Sequence, residues 1–150
     1  MRHTTIAMAG LVLAMAGAGC GGGGDKIEAP STQTFARTWH LTKCEYVNVA
    51  NTSQKVDLIA SGWVIDLIVS DNMTYLFSAT PPGGTVHTSG GTWSVSGSMV
   101  NFTPDGSSYS WQFTAQVTET TMTLSGADAE YDFNNDGTPD AAIWSMAGHT

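Results

Sequence analysis

Lysine and arginine are the residues this chain most lacks. There are five of them in 150 residues, against 13 Asp and Glu, and after Lys55 there is none, although that stretch carries ten carboxylates. Nucleic-acid binding rests on basic patches that track phosphates, so that class of function is excluded. Cations are the favoured partners of such a surface. Charge of either sign makes up only 12% of the residues, against a usual ~25%, which leaves Ser, Thr, Asn and Gly to supply the polar surface. Cysteine is scarce too, with Cys20 and Cys44 alone. An apolar run of the ~20 residues needed to span a bilayer as a helix is also missing. The longest, residues 6–18, is short and interrupted by Gly10 and Gly17.

That run follows Arg2 and His3, the charged-then-apolar layout of a secretory signal that is cleaved rather than retained. The segment Ala16-Gly17-Ala18-Gly19-Cys20 resembles the lipobox of bacterial lipoproteins, with Gly17 at a position where such proteins favour Leu. The resemblance implies cleavage after Gly19 and lipidation of Cys20. One acyl chain gives only marginal membrane affinity, so lasting attachment requires the two or three chains a lipoprotein cysteine carries. Gly21 to Gly24 read as a flexible tether. Gly21, where an Asp would signal retention, is similar to the outer-membrane sorting pattern of a Gram-negative host. The expected organisation is a signal peptide at 1–19, a lipidated Cys and Gly-rich tether at 20–34, and one folded domain at 35–150. Within that domain Cys44 has no partner for a disulfide, and without a motif around it the thiol reads as a small apolar filler.

Short runs with partial apolar alternation, separated by turn residues at nearly regular spacing, predict an all-β domain. Strands are expected over 38–49, 62–70, 73–79, 85–95, 99–103, 109–118 and 121–125, with two final arms over 129–133 and 141–146. The connections Pro81-Pro82-Gly83-Gly84, Ser96-Gly97-Ser98 and Asn135-Asp136-Gly137 supply turn chemistry. Residues 56–60 fit a strand start or a short helical turn equally well. Frequent Gly and Thr leave no room for a long amphipathic helix. Short consecutive connections suit an antiparallel up-and-down barrel of about eight strands, whose interior is filled or holds one small ligand. A β-sandwich is the alternative.

Thr38-Trp39-His40-Leu41-Thr42, with Gly91-Thr92-Trp93 and the hairpin arms at the end, resembles the bacterial lipocalin-like lipoproteins over roughly residues 35–146. Lipocalins carry Gly-x-Trp on the first strand, the Trp packing under the barrel floor, and many set an Arg from the last strand over it. Trp39 matches the Trp, Arg37 stands at the Gly position, and the last strand has no cation. The resemblance implies an eight-stranded barrel with a cavity for a small hydrophobic ligand. The five Trp, at 39, 63, 93, 111 and 144, all fall in expected strands and fit either a packed core or an aromatic-lined pocket.

One constellation carries ion chemistry. In the segment 132–140, Asp132, Asn134, Asp136 and Asp140 stand at loop positions 1, 3, 5 and 9, with Gly137 at 6 and the carbonyl of Thr138 at 7. That is the oxygen spacing that wraps calcium, the Gly permitting the sharp turn. Position 12, a Glu in the EF-hand, is Ile143, and the flanks read as strands, so the loop is similar instead to the Asp-rich calcium hairpins of FG-GAP repeats. Fewer ligands imply weak binding, around ~10⁻⁴ to 10⁻³ M, and a structural role in locking the last hairpin. An empty Asn-Asp-Gly hairpin is the plainer alternative.

Other constellations fail. His40, His87 and His149 lack zinc spacing, and no nucleophile elbow or phosphate loop appears. Asp66 lies inside the apolar run 64–69 and would mark a polar spot in the interior if its face pointed inward. No catalytic residue is assigned. The expectation is a membrane-anchored, calcium-stabilised, lipocalin-like lipoprotein that binds a small hydrophobic ligand, with ligand-contacting residues unassigned. The alternative is a non-catalytic envelope protein with a filled barrel that serves a structural or protein-interaction role.

Overall fold

The computed structural model describes residue 27 and residues 29–150; the signal segment and Cys20 lie outside the described residues. The first element is a single helical turn, α1 (Thr32–Phe35). Four residues cannot hold a helix by themselves, and this one is fixed at both ends. Ser31 and Thr34 form a capping box, the Thr34 amide donating to Ser31 Oγ at 3.2 Å and the Ser31 amide to Thr34 Oγ1 at 2.9 Å. Phe35 then turns inward and is fully buried. Residues 31–34, read from sequence as the end of the tether, therefore belong to the folded unit.

Nine strands follow: β1 (Thr38–Asn48), β2 (Lys55–Asp57), β3 (Val64–Val69), β4 (Thr74–Thr80), β5 (His87–Ser96), β6 (Met99–Pro104), β7 (Trp111–Val117), β8 (Thr121–Tyr131) and β9 (Asp140–His149). From β3 onward each strand pairs antiparallel with the next, and β9 pairs back onto β1, from His40 opposite His149 to Asn48 opposite Ala142. The sheet is therefore a closed barrel of eight strands, with β2 as an extra strand laid against the far half of β1. Closure pairs both edges of the eight-stranded wall, which a sandwich of the same strands would leave open, and only the short β2 keeps a free edge.

Alternation decides what fills the barrel. Ile65, Leu67 and Val69 on β3, Phe113, Ala115 and Val117 on β7, and Ala142, Trp144 and Met146 on β9 are buried at every second position. Two bulges shift that parity. On β1 the register slips between Leu41 and Lys43, so Trp39 and Leu41 point inward below the bulge and Cys44 above it. On β8 it slips between Leu124 and Ala127, with Gly126 at φ +87°, so Met122 and Leu124 give way to Ala127. That bulge also explains why sequence separates β8 into two arms: the alternation breaks although the strand does not.

The barrel is stoppered at one end. Phe35 packs against Trp39, Trp93 and Phe102, with ring centroids 6.2, 5.3 and 6.1 Å away. The Trp39 indole donates to the Phe35 carbonyl at 3.0 Å, and the Trp93 indole to the Ser70 carbonyl at 2.9 Å, so these large residues bury their apolar bodies without orphaning their N–H groups. The Arg37 guanidinium lies 5.4 Å from the centre of the Trp39 ring and donates to the Glu119 carbonyl in the β7–β8 turn. The cation over the floor Trp thus comes from two residues upstream of it, not from the last strand.

The ambiguous stretch after Gln54 is half strand and half turn. β1 pairs with β3 only through His40 and with β2 only from Glu45. At the changeover, Asp57 Oδ1 accepts from the amides of Cys44 at 3.1 Å and Ile59 at 3.0 Å, substituting a side chain for a missing ladder. Trp63 lies just before β3 rather than in a strand, and is half-buried. Asp66 faces outward, where its carboxylate meets His40 Nδ1 at 2.7 Å. It is not an interior polar group; among the described residues the buried polar one is Asn48.

Candidate functional site

The far half of the barrel is not filled. A cavity of about 720 Å³ opens there, within the range of small-molecule sites and lined mainly by apolar side chains. Its wall is built around Trp144 on β9. Tyr46 stacks on that indole at 5.5 Å with planes 10° apart, while Trp111 at 5.2 Å and Phe77 at 5.8 Å meet it edge-on. The Trp144 indole nitrogen donates to Cys44 Sγ at 3.4 Å, which holds the ring flat against the wall. Leu67, Phe102 and Met146 add apolar lining to the cavity.

Space remains because several positions at this level are small. Ser89 on β5 and Ala129 on β8 line the cavity where larger residues would close it. The wall is also parted on one side. β7 pairs with β8 only between Thr114–Val117 and Met122–Ser125. Beyond that the strands separate, and the Tyr109 hydroxyl bridges them by donating to the Asp128 carbonyl at 2.7 Å. Asp128 and Glu130 alternate with the inward residues of β8 yet contribute to the lining, so the cavity reaches the surface through this parting. No lysine or arginine lines it.

Burial dominates the ionisation of the groups inside. The Cys44 thiol is pushed up to about 11, chiefly by desolvation and only partly offset by the Trp144 hydrogen bond. It is a buried, protonated filler, as its sequence context suggests. Desolvation also raises the Tyr46 hydroxyl well above its ordinary value. The Tyr75 hydroxyl is raised by desolvation and then by the negative charge of Asp105. Tyr75 is 6% exposed and lines the cavity, and its hydroxyl is a buried side-chain oxygen with no hydrogen-bond partner.

The residues of the Asp-rich segment are gathered in the β8–β9 hairpin, at the same end of the barrel as the cavity. Asn135 at φ +58° and Gly137 at φ +86° turn the loop on itself. Asp132 accepts from the amides of Asp136 at 3.2 Å and Gly137 at 2.8 Å, Asn134 Oδ1 from the Asp136 amide at 3.0 Å, and Asp136 Oδ1 from the Thr138 amide at 2.7 Å. Asp140 begins β9 opposite Tyr131. The carboxyl of Asp136 is held below its ordinary value, first by the Thr138 amide and then by Asn134. Among the described residues, no three His, Cys, Asp or Glu side chains stand close enough to share a metal ion. The Asp132 and Asp136 carboxylates serve the loop's own amides. His40 and His149 are brought to 5.9 Å by the β1–β9 register, on the outer surface.

The closed eight-stranded barrel, the short helix under its floor and the Trp39 stopper are accompanied by a direct sequence match: a profile of the lipocalin-like domain covers residues 36–124, more than half of the chain. The chain belongs to the lipocalin-like domain family. Members of this family are generally non-enzymatic binding proteins. No curated protein and no solved structure matches the chain. The match ends at Leu124, beside the β8 bulge. The segment that supplies Ala129 and Trp144 to the cavity therefore lies beyond it. Sequence reasoning missed Tyr46, Phe77, Trp111 and Trp144 as a group. The available signal was aromatic residues recurring near the same ends of successive strands, which becomes readable only once the strand register is known.

Proposed function

We propose that this lipocalin-like protein is an exported lipoprotein that holds a small hydrophobic ligand in the open half of its barrel. The observation that carries this reading is the aromatic-walled cavity of about 720 Å³ in a barrel whose other half is packed solid. A filled barrel acting through its surface would have no such space. The chain comes into the fold beneath the packed floor, through Pro30 and α1. A lipid on Cys20 would tether that end, and the eleven residue steps from Cys20 to Ser31 reach at most roughly 40 Å when extended. The cavity then faces away from the membrane, toward the aqueous compartment or a partner that delivers ligand.

The test is mass spectrometry of small molecules extracted from protein purified from its own host, together with Trp fluorescence on adding them back. Recovery of a stoichiometric apolar molecule that perturbs Trp emission is expected. Preparations that carry nothing, and whose emission is unmoved by apolar probes, would overturn the proposal. Metabolic labelling with a fatty acid, lost in Cys20→Ala, tests the tether.

Calcium in the β8–β9 loop is the second part of the proposal, supported by Asp132, Asn134 and Asp136 lying within one tight turn. Because those oxygens already accept loop amides, an ion would have to use their remaining lone pairs with the Thr138 carbonyl and Asp140, which fits weak binding. Melting temperature is expected to rise in millimolar calcium relative to chelator; identical values would remove the ion from the account.

A further inference from the structure

Resting on the reading of the cavity as a ligand site, we infer that its ligand is a cationic aromatic amphiphile, an amine or ammonium on a planar apolar body, and not a fatty-acid-like anion. Two features carry this. First, the walls of the cavity are aromatic, with Tyr46 and Trp144 stacked and Trp111 and Phe77 edge-on to Trp144. Such a box holds flat rings and presents the negative faces that attract cations. Second, the parting between β7 and β8, through which the cavity meets solvent, is flanked by Asp128 and Glu130, and no lysine or arginine lines the space to receive a carboxylate. Lys55 stands away from the parting, on β2 against the β1 side of the barrel.

The body would lie against Trp144, with the amine in the parting beside the two carboxylates. An anion of the same shape would set its charge beside Asp128 and Glu130 with nothing to offset it. A neutral ligand would keep the aromatic contacts and lose only the charge attraction.

Three probes sharing one body separate these cases: 1-pyrenemethylamine, 1-pyrenemethanol and 1-pyrenecarboxylate, titrated into the purified full-length chain and read by energy transfer from Trp to pyrene. The amine is expected to bind tightest, the alcohol next and the carboxylate weakest, with about tenfold or more between amine and carboxylate at low salt. In the paired variant Asp128→Asn with Glu130→Gln, both exposed positions, the three affinities should converge to within about threefold while the alcohol is unchanged. Raising the salt should compress the same spread in the unaltered protein. Any other order of affinities, or a preference that survives the paired variant, overturns the inference and leaves the cavity reading standing. Binding of none of the three by the unaltered protein overturns the cavity reading itself.

Discussion

Phe35→Ala tests the idea that one turn of helix closes the barrel. The ring is fully buried and lies within 6.2 Å of three other aromatic centroids, those of Trp39, Trp93 and Phe102. Truncating a buried Phe to Ala costs ~3–5 kcal/mol when the surroundings cannot collapse into the space. Here the neighbours are three large rings held by the closed sheet and by indole hydrogen bonds to Phe35 and Ser70, so little collapse is available on the barrel side. The helix side can relax further, because α1 is a single turn held by its capping box and by the Trp39 indole on the Phe35 carbonyl, and this places the expected loss near the lower end, at about 3 kcal/mol. In a domain of this size that lowers the melting temperature by roughly 10 °C or more. Urea titration followed by Trp fluorescence measures it, with a lower midpoint and an unchanged slope expected. Leu76→Ala, at a residue 39% exposed on the outer face of β4, should cost well under about 1 kcal/mol as the control. A Phe35→Ala loss no larger than that control would refute the stopper and make α1 a passive extension of the tether.

Three further expectations follow from particular backbones and titrations. At Gly91 an added Cβ would stand 2.1 Å from the Thr103 carbonyl, whereas at Gly126 it meets nothing within 4 Å. Gly91→Ala should therefore cost at least about 2 kcal/mol by forcing β5 from β6, and Gly126→Ala only the ~1–2 kcal/mol of its left-handed backbone, as compared by chemical denaturation; equal losses would contradict the β5–β6 register. The Cys44 thiol, raised from 9.0 to about 11 by burial, should resist thiol reagents at pH 8 until the protein unfolds. Because its folded value is the higher one, its share of stability is full below pH 9 and lost as pH rises toward 11, which denaturation midpoints across that window will register. Asp136 has the opposite sign: its folded value is lowered from 3.8 by the Thr138 amide and Asn134, so its contribution is present above that pH and lost as acid protonates it. A carboxyl titration by NMR should place its midpoint below 3.8, and a midpoint above would show that the loop's amide contacts do not persist in solution.

Much of the wall is legible in the order of residues. Alternation at Ile65, Leu67 and Val69 and at Phe113, Ala115 and Val117, with turn residues such as Asp71-Asn72 and Ser96-Gly97-Ser98 between runs, determines a succession of antiparallel strands, because side-chain period and turn chemistry act over a few residues. The calcium-like spacing at 132–140 and the Trp39 motif are local in the same sense. Closure is not local. It depends on β1 pairing with β9, which sets Cys44 under Trp144, 100 residues away. Only that register, with the two bulges that reverse inward and outward positions, sends Trp39 and Trp93 to the packed floor and Trp111 and Trp144 to the cavity. Nothing near any of these four residues distinguishes them, since each is an aromatic on a strand. Their separate roles come from which end of the barrel each strand position occupies, and that is fixed by long-range hydrogen bonding.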